Sequence, residues 1–292
     1  MKTENNTVSR LIQTLQNFWQ QQGCVVLPAW DMEVGAGTMS PYTFFYVLKD
    51  SPYKACYVQP SRRPVDGRYA ENPNRVYKHH QMQVIMKPSP DHIQDTYIES
   101  LAAIGFPTQD HDIRFIEDNW AAPTLGAWGV GWEVWLDGME ITQFTYFQQV
   151  GGIELPTPAV EITYGLERIS MYLQDKNSLY NLQFHENILY QDLRKDEEYQ
   201  QSVYCHEKAN PTRLLSLFSL LYEEGEMCFD HQLIWPGYEY ALKCSHIFNI
   251  LDALGALSVT ERAQYLGRVR SLARKAATAI VNTQEGGNAD AS

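Results

Sequence analysis

Arg168 is the residue whose setting most limits what this chain can do. It sits in ELPTPAVEITYGLERISMYL, residues 154–173. Two prolines lead into a short apolar run at 159–164, Gly165 breaks that run, and Leu166, Ile169 and Leu173 resume at helical spacing. The pattern predicts strand, glycine turn and helix, with Arg168 in the first helical turn projecting over the end of a sheet. A guanidinium is always charged and can lie flat on a ring or fork onto phosphate oxygens, which suits a nucleotide. Glu161, earlier on the strand, brings a carboxylate able to hold a substrate ammonium. The same residues could equally form an ion pair, Glu161–Arg168 or Glu167–Arg168, that only orders a strand–helix junction.

A second cationic group lies in QPSRRPVDGRYAENPNRVYKHHQMQVIMKPSP, residues 59–90. Arg62, Arg63, Arg68 and Arg75, separated by Pro64, Gly67, Asn72 and Pro73, make a long polar loop between strands at 55–59 and 79–86. A loop of that length is uncommon in a compact chain unless it has a use. If the two strands pair, Arg63 stands at the end of one, and His79, Gln81 and Gln83 line one face of the other, because alternate residues share a face. That floor is polar and cationic, as a triphosphate requires. A solvated hairpin tip is the competing reading, weakened by the regular alternation of Gln81 and Gln83 with Met82, Val84 and Met86.

Around these groups the periodicity mixes helices and strands. Ser9 is the expected cap of a helix over 9–22, whose Leu11, Leu15, Phe18 and Trp19 share a face and which Gly23 ends. CVVL at 24–27 is a short strand stopped by Pro28. AWDMEVGAGTMSP, 29–41, is rich in glycine but lacks the G-x-x-x-x-G-K-[ST] order of a phosphate loop, and reads as a loop that orders on assembly. Thr43 to Val47 reads as strand. Pro90 and Asp91 open a helix to about Ile104, stopped by Gly105, and 113–116 is a short strand. Asp137-Gly138 between alternating runs predicts a hairpin. Alternation then puts Glu140, Thr142, Phe144 and Tyr146 on one face of the second strand and Ile141, Gln143, Thr145 and Phe147 on the other. Trp120, Trp128, Trp132 and Trp135 fit a core better than a cofactor site. From 178 onward the stripes at 214–221, 247–254 and 266–280 are helical only, a bundle or appendage. The expected division is 1–178, 179–284 all-helical, and 285–292, EGGNADAS, a disordered tail.

With 292 residues, 44% of them hydrophobic, and seven tryptophans, the chain can bury a large core. A net charge of −12 argues against a broad basic surface, so a nucleic-acid partner would find most of its phosphate contacts on another chain. Cys24, Cys56, Cys205, Cys228 and Cys244 are odd in number and form no C-x-x-C pair, which reads as reduced thiols of a cytoplasmic protein; Cys228-x-x-His231 lacks the second half of a zinc pattern. The opening MKTENNTVSR is polar and no apolar run approaches a membrane span, so neither a signal peptide nor a membrane segment is expected.

Arg63 leading into a long loop, His79-His80 on the strand after it, and a strand-Gly-Leu-Glu-Arg helix resemble motifs 2 and 3 of the class II aminoacyl-tRNA synthetases. Longer strings, QPSRRPVDGRY, ENPNR, KPSP, DNWAAPTLGAWGVGWEVW and TPAVEITYGLER, are similar to the α-subunit family of the heterotetrameric bacterial glycyl-tRNA synthetases, over essentially the whole chain. The alanyl enzymes resemble it less fully, sharing the look of His79-His80, Asp118-Asn119-Trp120 and P-A-V-E…G-L-E-R at 158–168.

The resemblance implies an α+β fold, a class II antiparallel sheet flanked by helices and followed by an all-helical region. Bent ATP would lie across the sheet, and residues 9–28 would build a homodimer interface within an α2β2 tetramer. It implies activation of glycine with ATP and Mg2+ to glycyl adenylate, then transfer to the 3′ end of tRNA(Gly), recognised mostly by a separate β subunit. Arg63 and Arg168 match the catalytic arginines: Arg63 holds the α-phosphate and the reacting carboxylate, Arg168 stacks on adenine and reaches the γ-phosphate, and Arg75, His79 or His80 clamps the β- and γ-phosphates. The usual acid after the motif 2 arginine is missing, Pro64 and Val65 standing there, and Gln83 beside Met82 replaces the aromatic that stacks under adenine. Glu133 and Glu140 are candidates for the metal or the adenine edge, and equally for structural roles. Glu161 stands where the alanyl enzymes carry an Asp that looks like the ammonium anchor. Thr163, on the same face, stands where they carry a glycine, so with Gln81 beside it and Trp120 as a wall it would leave a glycine-sized pocket. Two other readings stay open: a synthetase-like regulatory subunit, and a ligase that adenylates another small acid without tRNA.

Overall fold

The computed structural model describes residues 6–289, of which 284–289 as backbone. Residues 1–5 of the expected leaderless N-terminus and 290–292 of the expected tail lie outside the described residues, while 285–289 continue the last helix. Thr7, rather than Ser9, caps the first helix, α1 (Val8–Gln21): its hydroxyl accepts from the Arg10 N–H at 3.2 Å, and Leu11, Leu15 and Trp19 bury the expected stripe. After it come β1 (Val25–Val26), a 3-10 turn at Gly37–Met39, and α2 (Pro41–Leu48). The run at 43–47 is therefore helix, although its aromatic and β-branched residues predict strand. Ser40 caps it, Pro41 fills its first position, and Phe44 and Phe45 pack on Tyr238 with ring centroids 4.4 and 4.9 Å away. Capping and tertiary burial together override propensity.

β2 (Tyr53–Arg62), a 3-10 turn at Pro64–Asp66, β3 (Lys78–Lys87), α3 (Ile93–Ala103), β4 (Ile113–Ala122), β5 (Ala127–Leu136), β6 (Met139–Val150), β7 (Ile153–Gly165) and α4 (Leu166–Leu173) follow. The strands form a seven-stranded sheet in the order β1-β2-β3-β7-β6-β5-β4, antiparallel except for β1 beside β2. The expected hairpin turns at Asp137 and Gly138, both at positive φ (47° and 89°), as a two-residue primed turn requires. One sheet face packs under α1, α3 and α4 through Met82, Val84, Phe144, Ile162 and Tyr164. On the other face, Tyr57, Ile85, Phe147 and Ala159 meet α2 and the C-terminal helices.

Beyond 178 a small hairpin, β8 (Gln183–His185) and β9 (Ile188–Leu189), departs from the expected run of helices before α5 (Tyr190–Val203), α6 (Pro211–Asp230), α7 (Ile234–Ala253) and α8 (Val259–Ala289). Phe218, Tyr238, Leu251 and Ala273 of the last three helices join Phe44 and Tyr57 in one apolar cluster, so the helical part is continuous with the sheet's core rather than an appendage to it. The five cysteines are free and buried. Among the described residues no helix is long and apolar enough to cross a membrane.

Tyr238 is fully buried, stacks on Phe44 and donates its hydroxyl to the Met39 carbonyl at 2.8 Å. Tyr238→Ala is expected to lower the unfolding free energy by about 3–5 kcal/mol, read as a drop in the urea midpoint.

Candidate active site

β3 pairs with β2 on one side and β7 on the other, with Ser61 opposite His79 and Thr163 opposite Gln83. This register brings Arg63, just past β2, and Arg168, in the first turn of α4, to the same end of one sheet face. Both line a cavity of about 590 Å³, together with Arg75, His79, Gln81, Trp120, Glu140 and Thr163. Arg63 is drawn inward, its Nε donating to the Gly35 carbonyl at 3.1 Å. Burial works against its charge, Asp66 and Glu140 favour it, and Arg168 opposes it, so the two guanidinium groups lie within electrostatic reach of each other. Arg168 Nη1 donates to the Glu140 backbone carbonyl at 2.7 Å and to its carboxylate at 3.2 Å. Arg75 Nε donates to Asp66 at 2.8 Å. Burial and then the Arg63 charge lower the His79 pKa from 6.5 to about 4, so at neutral pH its imidazole offers one donor and one acceptor instead of a charge.

Glu140 reaches the cavity because of a bulge. Thr142 pairs with Val134 but Glu140 with Trp135, which leaves Ile141 as an extra residue on β6. Ile141 joins the apolar cluster beneath α1 and α3, and Glu140 shifts to the cavity beside Gln143. The facing expected from simple alternation, Glu140 with Thr142 and Phe144, is corrected by that one residue.

His80, Gln83, Glu133 and Glu161 are not among the residues lining this cavity. Alternation turns His80 away from His79: its Nδ1 lies 2.8 Å from Glu167 and its Nε2 3.0 Å from Arg194. Glu167 also accepts from the His80 N–H and the Tyr190 hydroxyl, each at 2.9 Å. Burial alone would raise the Glu167 pKa, but the hydrogen bond and charge of His80 hold it at about 2. His80 thus braces α4 against β3 and α5 in place of the expected phosphate clamp. The Glu133 carboxylate accepts from Trp135 Nε1 at 2.8 Å; it stands directly across from cavity-lining Gln143 on the same face of the sheet but does not itself line the cavity, where it was expected to serve a metal or ATP. Gln83 is fully buried beneath the Gly37–Met39 turn, so it cannot take the place of the adenine-stacking aromatic.

At the other end of the site Gln81, Gln83, Glu161 and Thr163 share the face where β3 and β7 run side by side. The Gly37–Met39 turn lies directly on them. Gln81 Oε1 accepts from the Gly37 N–H at 2.9 Å and from Ser61 at 2.7 Å, which leaves its amide NH2 for the cavity. Thr163 donates to Gln83 Oε1 at 2.7 Å. A Cβ on Gly37 would stand 1.9 Å from Gln83 Nε2, so only glycine allows this approach. Glu161, 1% exposed, accepts from Thr38 at 2.5 Å and Thr43 at 3.4 Å. Thr38 is a cavity-lining residue that sequence reasoning missed. Its one available signal is the glycine spacing of AWDMEVGAGTMSP, which lets backbone press onto a strand.

A mixed, almost wholly antiparallel sheet backed by helices and followed by an all-helical part is the fold of a class II aminoacyl-tRNA synthetase. The model of the glycyl-tRNA synthetase alpha subunit family matches residues 8–285. The chain is also 54% identical over 279 residues to the glycine--tRNA ligase alpha subunit of Coprothermobacter proteolyticus, covering 96% of each protein. It belongs to the glycyl-tRNA synthetase alpha subunit family. Two structures of pyrrolysyl-tRNA synthetase from Desulfitobacterium hafniense are similar at 13% identity, with TM-scores of 0.47 and 0.45; each covers 62% of this chain, and this chain covers 74% and 75% of theirs.

Burial pushes the Glu161 carboxyl up from 4.5 to about 7, against the hydrogen bonds from Thr38 and Thr43. A raised folded-state pKa means that the contribution to stability is complete below about 4.5 and is lost as pH rises through about 7. Glu161→Gln, which cannot ionise, should therefore gain stability relative to the parent between those limits, on the order of 3 kcal/mol, in urea unfolding compared at pH 4.5 and pH 8.

Proposed function

We propose that this chain activates glycine with ATP, giving glycyl adenylate and pyrophosphate, and that together with a β subunit it passes glycine to the 3′ end of tRNA(Gly). The observation that carries the reading is one cavity of about 590 Å³ walled by both Arg63 and Arg168. A carboxylate oxygen of glycine attacks the α-phosphorus and forms the new P–O bond. The bond from that phosphorus to the bridging oxygen breaks, and pyrophosphate leaves with the electron pair. No side-chain nucleophile or base is needed, because the attacking group is already an anion. Catalysis is then positioning and charge stabilisation. Arg63 offsets charge at the α-phosphate, Arg168 serves adenine and the γ-phosphate, and Arg75 with neutral His79 serves the β- and γ-phosphates. Glu161 supplies the charge opposite the substrate ammonium, while Thr163, with Gln81 and Trp120, leaves no space for a side chain.

The protein offers a metal little by itself. Among the described residues no three His, Cys, Asp or Glu are gathered for one, and Glu140, the candidate acid at the cavity, is already bonded to Arg168. Magnesium takes one or two carboxylates and several phosphate oxygens, so Glu140 and the ATP phosphates would hold it. When bound it neutralises phosphate charge.

Chemistry is assigned to residues 1–178 and docking of the β subunit to the helical part. Val25 and Val26, 58% and 37% exposed on the edge strand β1, support pairing of two copies along that edge within an α2β2 assembly. The net charge of −12 supports a β subunit that supplies most of the tRNA contacts. Buried free cysteines fit the cytoplasm.

Arg63→Ala and Arg168→Ala should each cut glycine-dependent ATP–pyrophosphate exchange about 10²–10³-fold, measured over a panel of small amino acids. Thr163→Gly should raise alanine-dependent exchange at least about tenfold; no gain would mean that another group sets the size of the pocket.

A further inference from the structure

The loop between β2 and β3 carries Arg63 and Arg75 to the cavity, and α5 fastens it from outside. The fastening is one carboxylate. Glu198, on α5 and 4% exposed, accepts the Arg68 N–H at 2.8 Å on one oxygen and the Tyr77 N–H at 2.6 Å on the other. We propose that Glu198 is a positioning residue for ATP, which grips both arms of this loop and so sets where Arg63 and Arg75 stand. This rests on the reading that those two arginines serve the phosphates.

A carboxylate has two oxygens side by side and a backbone N–H can only donate, so one buried acid can hold two stretches of chain at once. Among the described residues no lysine, arginine or histidine forms an ion pair with Glu198. Its third donor is the Ser202 hydroxyl, one helical turn on, at 3.3 Å. Ser202 binds the loop as well, its Oγ accepting the Tyr69 N–H at 2.9 Å. Every hydrogen bond of this acid therefore goes to the loop or to a side chain that also holds the loop.

The route from Glu198 to the guanidinium groups is short. Tyr77, whose N–H the acid holds, accepts the Arg63 N–H on its own carbonyl at 2.7 Å. Arg75, just before Tyr77, donates from Nε to Asp66 at 2.8 Å, and the Asp66 N–H returns to the Arg63 carbonyl at 2.9 Å. Fixing Tyr77 thus fixes both arginines.

The loop also needs holding. Tyr69 and Ala70 stand at φ of 56° and 60°, a conformation unfavourable for side chains that persists only where the surroundings impose it. A Cβ on Gly67 would stand 2.8 Å from Ser202 Oγ, so the loop lies against α5 too closely for a side chain. The Tyr69 ring closes over the contact, its centroid 5.9 Å from that of His206.

Glu198→Gln keeps the volume but sets an NH2 against one of the two N–H groups, so one arm is released. In ATP–pyrophosphate exchange by the chain together with its β subunit, it should raise the KM for ATP about 10- to 100-fold and leave the KM for glycine within about threefold. Limited digestion with trypsin should cut after Arg68 or Arg75 at least about fivefold faster than in the parent, because those bonds become accessible as the loop opens. Ser202→Ala frees only the Tyr69 N–H and should raise the KM for ATP about threefold; it takes the place of Glu198→Gln if that variant does not fold by circular dichroism. An unchanged KM for ATP, a glycine KM that rises as much as the ATP KM, or a loop no easier to cut would each overturn the inference and leave glycine activation standing. A parent protein with no glycine-dependent exchange would overturn the proposed function, and the inference with it.

Discussion

The pairing of β3 with β2 and β7 at once is the constraint on which the site depends. Because the side-chain period of a strand is two, a slip of one residue in either pair would turn Gln81, Gln83, Glu161 and Thr163 into the apolar cluster beneath α1 and α3, and Met82, Val84, Ile162 and Tyr164 out of it. The hydrophobic pattern on the far face forbids that slip, so the polar face is fixed without being stabilised for its own sake. Arg63 and Arg168 are attached just beyond the two outer partners, and the same register therefore sets their meeting at one cavity.

Within that frame the balance between burial and local partners decides what each ionisable group can do. Glu161 and Glu167 are both deeply buried glutamates, yet one is pushed up to about 7 and the other held at about 2. Glu161 is met by hydroxyls, which are too weak to offset its loss of water, whereas Glu167 has the His80 ring and N–H and the Tyr190 hydroxyl. The guanidinium groups are likewise held by local partners, Arg63 on a backbone carbonyl, Arg75 on Asp66 and Arg168 on Glu140. Charges held in place need no reorganisation when negative charge develops, which is the larger part of what such a site can contribute.

Much of this was legible in the sequence because it depends on local signals. The break at Gly165 places Arg168, the alternation of Gln81 and Gln83 with Met82 and Val84 gives the faces of β3, and Asp137-Gly138 marks the hairpin. What escaped depends on contacts distant in sequence. The aromatic run of α2 reads as strand because nothing local reveals Tyr238 packed against it. The bulge at Ile141 has no signature of its own, so Glu140 was placed on the wrong face. His79 and His80 are adjacent and chemically alike, and only the pairing of β3 shows that one faces the cavity and the other Glu167. Thr38 lies in a loop whose course is dictated by Gln81, Tyr57 and Tyr238, none of them near it in sequence.

Tyr238 belongs to α7, more than sixty residues past the last strand of the large sheet, yet its hydroxyl ends on the backbone of the Gly37–Met39 turn, which lines the cavity through Thr38. A tilt of α7 must carry the Met39 carbonyl with it or leave that carbonyl buried without a donor, at a cost of about 1–3 kcal/mol. The bond is a tether, and a partner that leans on the outer surface of the helices has through it a mechanical lever on the dimensions of a pocket it never touches.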